Sequence, residues 1–327
     1  MSIKLSICIP TYRRARYLAE TLDSVIAQAT SDVEIIVSDN ASPDNTAEVV
    51  QACQARFPRL TYFRQPENLG ADRNYLQSVA LASGEWCWLL GDDDLLEPGA
   101  IACVLDHLNG PCPLDFVLLL VTAYDAKMQT VLERSADVLG VTEDIYTTDV
   151  PAFFTRFFQE SYLSIFVVRR EKWNTVNAEK YVGTGLTYLG ITYEYLEADA
   201  PVLLLAQPLV KYRSMNISWT SSTLEIVLRH QRFIVDTLPA RYDAVKEAAY
   251  AVYEKRTPVT LKMLCFLRSE GSYDLPRYQS LVAPYFAARP AHRTAARLIA
   301  SAPIGLMRAV RRTYQGIKYG RAGRGGA

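Results

Sequence analysis

The sequence predicts an α/β protein: a doubly wound, mostly parallel sheet followed by a helical C-terminal extension. Three observations predict it. Apolar runs of strand length alternate with segments of helical spacing from Leu5 to Val121, the pattern of parallel strands joined by crossover helices. Polar, turn-rich segments follow those runs, and right-handed crossovers place such post-strand loops along one edge of a sheet. From Leu224 to Ala288 the spacing is helical, punctuated at Pro239, Pro258 and Pro276.

The elements follow in order. Leu5 to Pro10 is a strand, and Arg16 to Gln28 carries Leu18, Leu22, Val25 and Ile26 at helical spacing. Val33 to Val37 is a second strand ending in Ser38-Asp39-Asn40, Thr46 to Ala55 a helix, and Leu60 to Arg64 a third strand. Ala71 to Ala82 is a helix with Tyr75, Leu76 and Val79 inward. Trp86 to Leu90 is short, bulky and apolar, which reads as a buried strand; a helix to Leu108 and the strand Phe116 to Val121 come next. Residues 125–148 read as a loop or hairpin region, Val150 to Gln159 as a helix with a phenylalanine cluster, and Leu163 to Val168 as a strand. Gly183 to Glu197 is a helix and Val202 to Tyr212 a strand. These limits predict a domain over 1–222 with halves 1–124 and 125–222, a helical extension over 223–288, and a basic tail over 289–327 with a disordered end.

At 327 residues the chain can bury a large core. Lys plus Arg equal Asp plus Glu at 35 each, so overall charge points to no nucleic-acid partner. The six cysteines form no CxxC and no zinc-ligand spacing, which fits a reduced, cytoplasmic protein. The first ten residues lack a leader pattern, and no run approaches the roughly 20 apolar residues that span a bilayer. In the tail, Arg293, Arg297, Arg308, Arg311, Arg312 and Lys318 interleave with Leu298, Ile299, Ile304, Leu306, Met307, Val310 and Ile317, without an acid between residues 289 and 320. Such a segment either lies on an anionic membrane surface, here the inner face of the plasma membrane, or packs on the core with a solvated basic face.

The most informative feature is Asp92-Asp93-Asp94, which emerges at the C-terminal end of the strand Trp86 to Leu90. That edge is where open α/β sheets bind ligands. Adjacent carboxylates repel unless a cation sits among them, and a hard divalent ion such as Mg²⁺ or Mn²⁺ takes oxygen ligands shared with a phosphorylated substrate. The competing reading is an acidic turn built on Gly91. The first strand is followed by no GxGxxG, and no GxxxxGK[ST] occurs, which disfavours dinucleotide and P-loop sites.

Five segments in order resemble the family 2 glycosyltransferases of GT-A fold. They are the strand into Pro10-Thr11-Tyr12-Arg13-Arg14, then Glu34 through Asp44, Asn68-Leu69-Gly70 with Asn74, Ala82-Ser83-Gly84-Glu85, and Leu89 through Asp94. Pro208 through Arg213 and Asn216 through Trp219 are similar to the abequosyltransferase-like enzymes that add a deoxysugar to O-antigen units. The resemblance implies a metal-dependent, inverting transfer of a hexosyl or deoxyhexosyl group from a nucleoside diphosphate sugar to a saccharide or polyprenyl-linked acceptor. It implies nucleotide-sugar contacts at Pro10, Thr11, Tyr12, Arg13, Asp39, Asn40, Gly70, Arg73, Asp92 and Asp93, with Gly70 admitting close backbone approach. It places a divalent metal on Asp92 and Asp94, with Asp93 as the alternative ligand or a catalytic residue. It puts Arg213, Asn216 and Trp219 on the acceptor side.

The catalytic base is a departure from that family. Its expected slot falls near Thr187-Tyr188, which carries no acid. Glu194 is the nearest candidate on the same helix, with Glu197, Asp199 and residues 125–148 as the other options. The missing acid keeps a non-catalytic nucleotide-sugar-binding homologue open, beside a sugar nucleotidyltransferase. His107, His230 and His292 are isolated and carry no assignment.

Overall fold

Seven consecutive buried residues, Leu5–Thr11, make the first strand, β1. Burial on both faces is the mark of an interior strand in a sheet covered on both sides. The computed structural model describes residues 3–214, 222–256 and 259–320, with the backbone alone for 314–320. Helix α1 (Ala15–Ile26) buries Leu18, Leu22 and Val25, one stripe at helical spacing. Then follow β2 (Val33–Asp39), α2 (Thr46–Gln54), β3 (Leu60–Arg64), α3 (Ala71–Ala80), β4 (Trp86–Leu89), β5 (Leu95–Leu96) and α4 (Ala100–Leu108). The second half holds β6 (Phe116–Tyr124), β7 (Val131–Arg134), α5 (Ser135–Leu139), β8 (Ile145–Thr147), α6 (Val150–Phe157), β9 (Phe166–Arg169), α7 (Arg170–Trp173), α8 (Thr187–Tyr195) and β10 (Val202–Arg213).

The sheet runs β3-β2-β1-β4-β9-β6-β10-β5, with β7 on β6 and β8 on β10. Strands β1 to β4 are parallel, in registers from Leu5↔Val33 to Thr11↔Asp39 and from Leu5↔Trp86 to Cys8↔Leu89. Strand β9 is antiparallel to both neighbours, β4 and β6, so the sheet is mixed, with one reversed strand near its middle. That strand also starts later than expected, because residues Leu163–Ile165 form a 3₁₀ turn. The 125–148 region opens as the expected hairpin, β7 pairing antiparallel with β6, and then adds α5 and β8, which pairs antiparallel with β10. Pro10 lacks a backbone donor, yet it lies past the β4 pairing, which ends at Cys8↔Leu89, so no ladder bond is lost there.

The chain divides into two compact units, one of residues 1–216 and 234–252, the other of 217–233 and 253–327. This differs from the expected boundary at 222, because 234–252 returns to the first unit. Tyr242 explains it: its hydroxyl donates to Tyr193 O at 2.8 Å, and its ring lies 4.9 Å from that of Phe154. The second unit is helical, with helices Leu261–Ser269, Pro290–Ser301 and Ile304–Gly320 around Leu264, Leu267, Tyr273, Val282, Phe286, Ala296 and Ala300. Within it Arg308 donates to Ser269 O, and the Arg311 guanidinium pairs with Glu270 and lies 4.5 Å over Phe266. Leu298, Leu306 and Val310 stay exposed. Among the described residues no helix is long and apolar enough to cross a membrane.

Candidate functional site

Because β1, β2 and β4 are parallel and in register, their C-terminal ends deliver Thr11, Asp39 and the aspartate triplet to one edge. Thr11 Oγ1 donates to Asp92 Oδ2 at 2.7 Å. Arg14, at the entry to α1, puts Nη1 3.5 Å from Asp92 Oδ1 and pairs directly with Asp93 Oδ2. Asp94 turns the other way. It accepts from Ser164 Oγ at 2.5 Å and from the Arg213 backbone N–H at 2.9 Å, while Thr21 donates to its carbonyl. The Arg213 guanidinium spans Asp93 O, Ala126 O and Glu20, closing the cluster from β10.

Two of the three carboxylates are buried. Asp92 is 8% and Asp94 3% exposed. Burial first, and the neighbouring charge of Asp93 second, push each carboxyl up to about 7. Arg14 offsets part of that for Asp92, and the hydrogen bonds from Ser164 and the Arg213 N–H offset part of it for Asp94. The donor set is all oxygen, which suits a hard divalent ion in both charge and ligand type. Among the described residues no three His, Cys, Asp or Glu side chains are arranged as a preformed metal cage.

The loop after β2 is knitted by the other predicted residues. Asp39 is fully buried, accepting from Ser42 N–H at 2.9 Å and Tyr62 OH at 2.7 Å, with Arg64 Nε 3.7 Å away. It orders the turn, and no part of it faces solvent. Asn40 bridges to Asn68 Oδ1, Gly70 O and Leu69 N–H, joining the two loops. Asn74 donates to Ser38 O and accepts from Ser38 Oγ, tying α3 to β2. Tyr12 and Arg13 are exposed, with Arg13 at φ +59° and its N–H on Ser42 Oγ. Gly70 has φ +87° and open space where a Cβ would stand. The backbone conformation demands glycine there, not a crowded approach.

Two predicted residues are placed elsewhere. Arg73 makes a two-pronged ion pair with Glu179 on the surface, so its charge is already answered. Glu194 lies in the last turn of α8, where Tyr181 OH donates to it at 2.7 Å and Lys180 pairs with it at 2.8 Å. The next residue, Tyr195, hydrogen-bonds Asp115 O just before β6 begins. That is the opposite edge of the sheet, so Glu194 is not brought to the aspartates. Asn216 and Trp219 lie outside the described residues.

Sequence reasoning passed over Asp72, whose carboxylate meets the backbone at Thr187, the start of α8. From the first turn of α3 its carboxylate accepts from the backbone N–H groups of Gly183, Gly185 and Thr187, at 2.8, 2.8 and 3.2 Å. It caps α8 from another element. No local motif marks a cap supplied from more than a hundred residues away. Ser164 was missed because it meets Asp94 across 70 residues of chain, which no local motif marks either.

Comparison with known proteins agrees with this geometry. The family model described as Glycosyl transferase family 2 matches residues 6–171, just over half of the chain. The chain belongs to that family. Abequosyltransferase RfbV of Salmonella typhimurium is 29% identical over 300 residues, covering 84% of this chain and 88% of that protein. A GalNAc(5)-diNAcBac-PP-undecaprenol beta-1,3-glucosyltransferase of Campylobacter jejuni is 38% identical over 107 residues, covering 32% of this chain and 35% of that one. Among solved structures, S. aureus TarS in complex with UDP-GlcNAc superposes with a TM-score of 0.58 at 14% identity, over 91% of this chain and 90% of that one. These establish a GT-A glycosyltransferase.

Proposed function

We propose that this glycosyltransferase moves a hexosyl or deoxyhexosyl group from a nucleoside diphosphate sugar to a saccharide or polyprenyl-linked oligosaccharide, with inversion. Assembly of an O-antigen-like surface polysaccharide is the setting. The observation that carries the reading is the pair of buried carboxyls, Asp92 and Asp94, pushed up to about 7 at the C-terminal edge of the parallel strands. Two similar proteins support the acceptor and sugar class by their names, an abequosyltransferase and an undecaprenol-linked glucosyltransferase. A mannosyltransferase from Pyrobaculum calidifontis, 17% identical with a TM-score of 0.51, was solved in complex with GDP-Man and Mn²⁺.

A divalent ion held by Asp92 and Asp94 would supply Lewis-acid stabilisation of the leaving diphosphate. Thr11 and the Tyr12 backbone fix Asp92 through hydrogen bonds, and Ser164 and the Arg213 N–H fix Asp94. Each carboxylate is therefore preorganised, with no side-chain search on binding. Arg14 places a fixed positive charge beside Asp92 and Asp93, which offers the diphosphate a further partner. Tyr12, Arg13 and Asn40 line the nucleotide side, where Asp39 shapes the turn beneath them. Glu194, the acid first considered for the acceptor proton, stands away from the cluster, whereas Asp93 stands in it. We assign that proton to Asp93. The exposed Leu298, Leu306 and Val310, amid arginines with no acid after Asp274, support docking on an anionic membrane beside a lipid-linked acceptor.

A turnover assay tests the reading. Purified protein, Mn²⁺, a panel of sugar nucleotides and a membrane extract as acceptor source should release nucleoside diphosphate. Release of pyrophosphate instead would mean nucleotidyl transfer, and binding without either would mean a non-catalytic homologue.

A further inference from the structure

Residues 161–164 form a short segment that is anchored at both ends and open in the middle. Tyr188 OH donates to Ser161 O at 2.5 Å. At the other end Trp88 Nε1 donates to Ser164 O at 2.8 Å, and Ser164 Oγ accepts from Gly91 N–H at 2.9 Å while donating to Asp94 Oδ2 at 2.5 Å. Between these anchors Tyr162 is 37% exposed. Tyr162 is thus a large, partly exposed side chain held between two fixed anchors, with one face against protein and part of its surface left for a ligand.

Tyr162 does not stand alone. Its ring centroid is 4.7 Å from that of Tyr212, at 51° between planes. Tyr212 immediately precedes Arg213, whose N–H donates to the second oxygen of Asp94. Each tyrosine is thus within two residues of a group bonded to the same buried carboxylate. Neither phenol donates a hydrogen bond among the described residues.

We propose that Tyr162, backed by Tyr212, is a platform on which the pyranose ring of a substrate stacks beside Asp94. The aromatic face attracts the polarised C–H groups of a sugar ring, and a free phenol hydroxyl supplies a donor to sugar oxygens. The proposal rests on the sugar-transfer reading of the same cluster. The ring belongs either to the donor or to the acceptor saccharide, and the experiment separates them.

Wild type, Tyr162→Ala and Tyr162→Phe are titrated with UDP, GDP, CDP and dTDP, then with the sugar nucleotides of whichever base binds. Saturation-transfer NMR with methyl glycosides of glucose, galactose, mannose and N-acetylglucosamine probes the acceptor side. Nucleoside diphosphate affinity should be equal in all three proteins, which also shows that the variants fold. Tyr162→Ala should weaken a ring-bearing ligand about three- to tenfold, the scale of one aromatic face contact, and Tyr162→Phe should keep most of the affinity. Loss with the sugar nucleotide assigns the donor ring, and loss with a methyl glycoside assigns the acceptor ring. Equal binding of both ligand classes by wild type and Tyr162→Ala overturns the platform. If wild type binds no nucleoside diphosphate, it is the transfer reading that fails, and the glycoside arm still decides on Tyr162.

Discussion

Replacing Asp94 by asparagine should stabilise the metal-free protein at high pH while abolishing its activity. Asparagine matches aspartate in shape; its oxygen can accept from Arg213 N–H, and its amide can donate to Ser164 Oγ, so both bonds to the side chain survive. What disappears is a buried charge. A carboxyl raised to about 7 from its ordinary 3.8 binds its proton more tightly folded than unfolded. Its contribution to stability is therefore full below 3.8 and is lost as pH rises through about 7. At about 1.36 kcal/mol per pH unit, that gap is on the order of 4 kcal/mol for one carboxyl. Asp92 and Asp94 share the repulsion from Asp93, so they titrate as a pair and their losses do not simply add. Urea unfolding in EDTA at pH 5 and pH 8 measures this. The advantage of Asp94→Asn over wild type should be small at pH 5 and grow to about 2–4 kcal/mol at pH 8. An advantage that does not grow with pH, or a variant less stable at pH 8, would refute the reasoning.

Other consequences can be checked by the same means. Asp72→Ala leaves the N–H groups of Gly183, Gly185 and Thr187 without their acceptor, and should cost about 2–4 kcal/mol in denaturant unfolding. Gly190→Ala would set a Cβ 2.6 Å from the fully buried Tyr181 ring; the overpacking should lower stability by about 1–3 kcal/mol. Glu194→Gln, far from the aspartates, should keep turnover within about threefold of wild type, whereas Asp93→Asn should lower it at least a hundredfold, roughly the scale of a lost general base.

Much of the fold was legible because the parallel half obeys local rules. Leu5 to Pro10, Val33 to Val37 and Trp86 to Leu90 are apolar runs of strand length, and the structure uses them as neighbouring strands. Beyond residue 125 the strands are set by partners distant in the chain. Strand β9 runs antiparallel because β4 and β6 hold it from either side, and nothing within Phe166–Arg169 states that direction. The return of 234–252 to the first unit depends on Tyr242 meeting Tyr193 and Phe154, again a matter of tertiary fit.

The site was legible in its residues more than in their roles. Asp92, Asp94 and Thr11 come together at one strand edge, yet Ser164 and Arg14, which hold the cluster, carried no signal strong enough to earn a role. Part of the family signature proves to be structural. Glu34 accepts from Ser6 Oγ, Ser83 N–H and Gly84 N–H near the start of β1, at the other end of the strand from Thr11. Gly84 is glycine because a Cβ there would stand 2.6 Å from Ser6 Oγ and 2.9 Å from Ser6 N. Arg73 shows the converse: a cation suited to a diphosphate is paired with Glu179 instead.

The most direct test of the account is a calorimetric titration of UDP, GDP, CDP and dTDP into the protein with Mn²⁺ and again with EDTA. The account predicts micromolar-scale binding of one nucleotide that is lost in EDTA and in Asp94→Ala. Binding of that nucleotide with the same affinity in EDTA, or of none of them by folded protein in Mn²⁺, would contradict it.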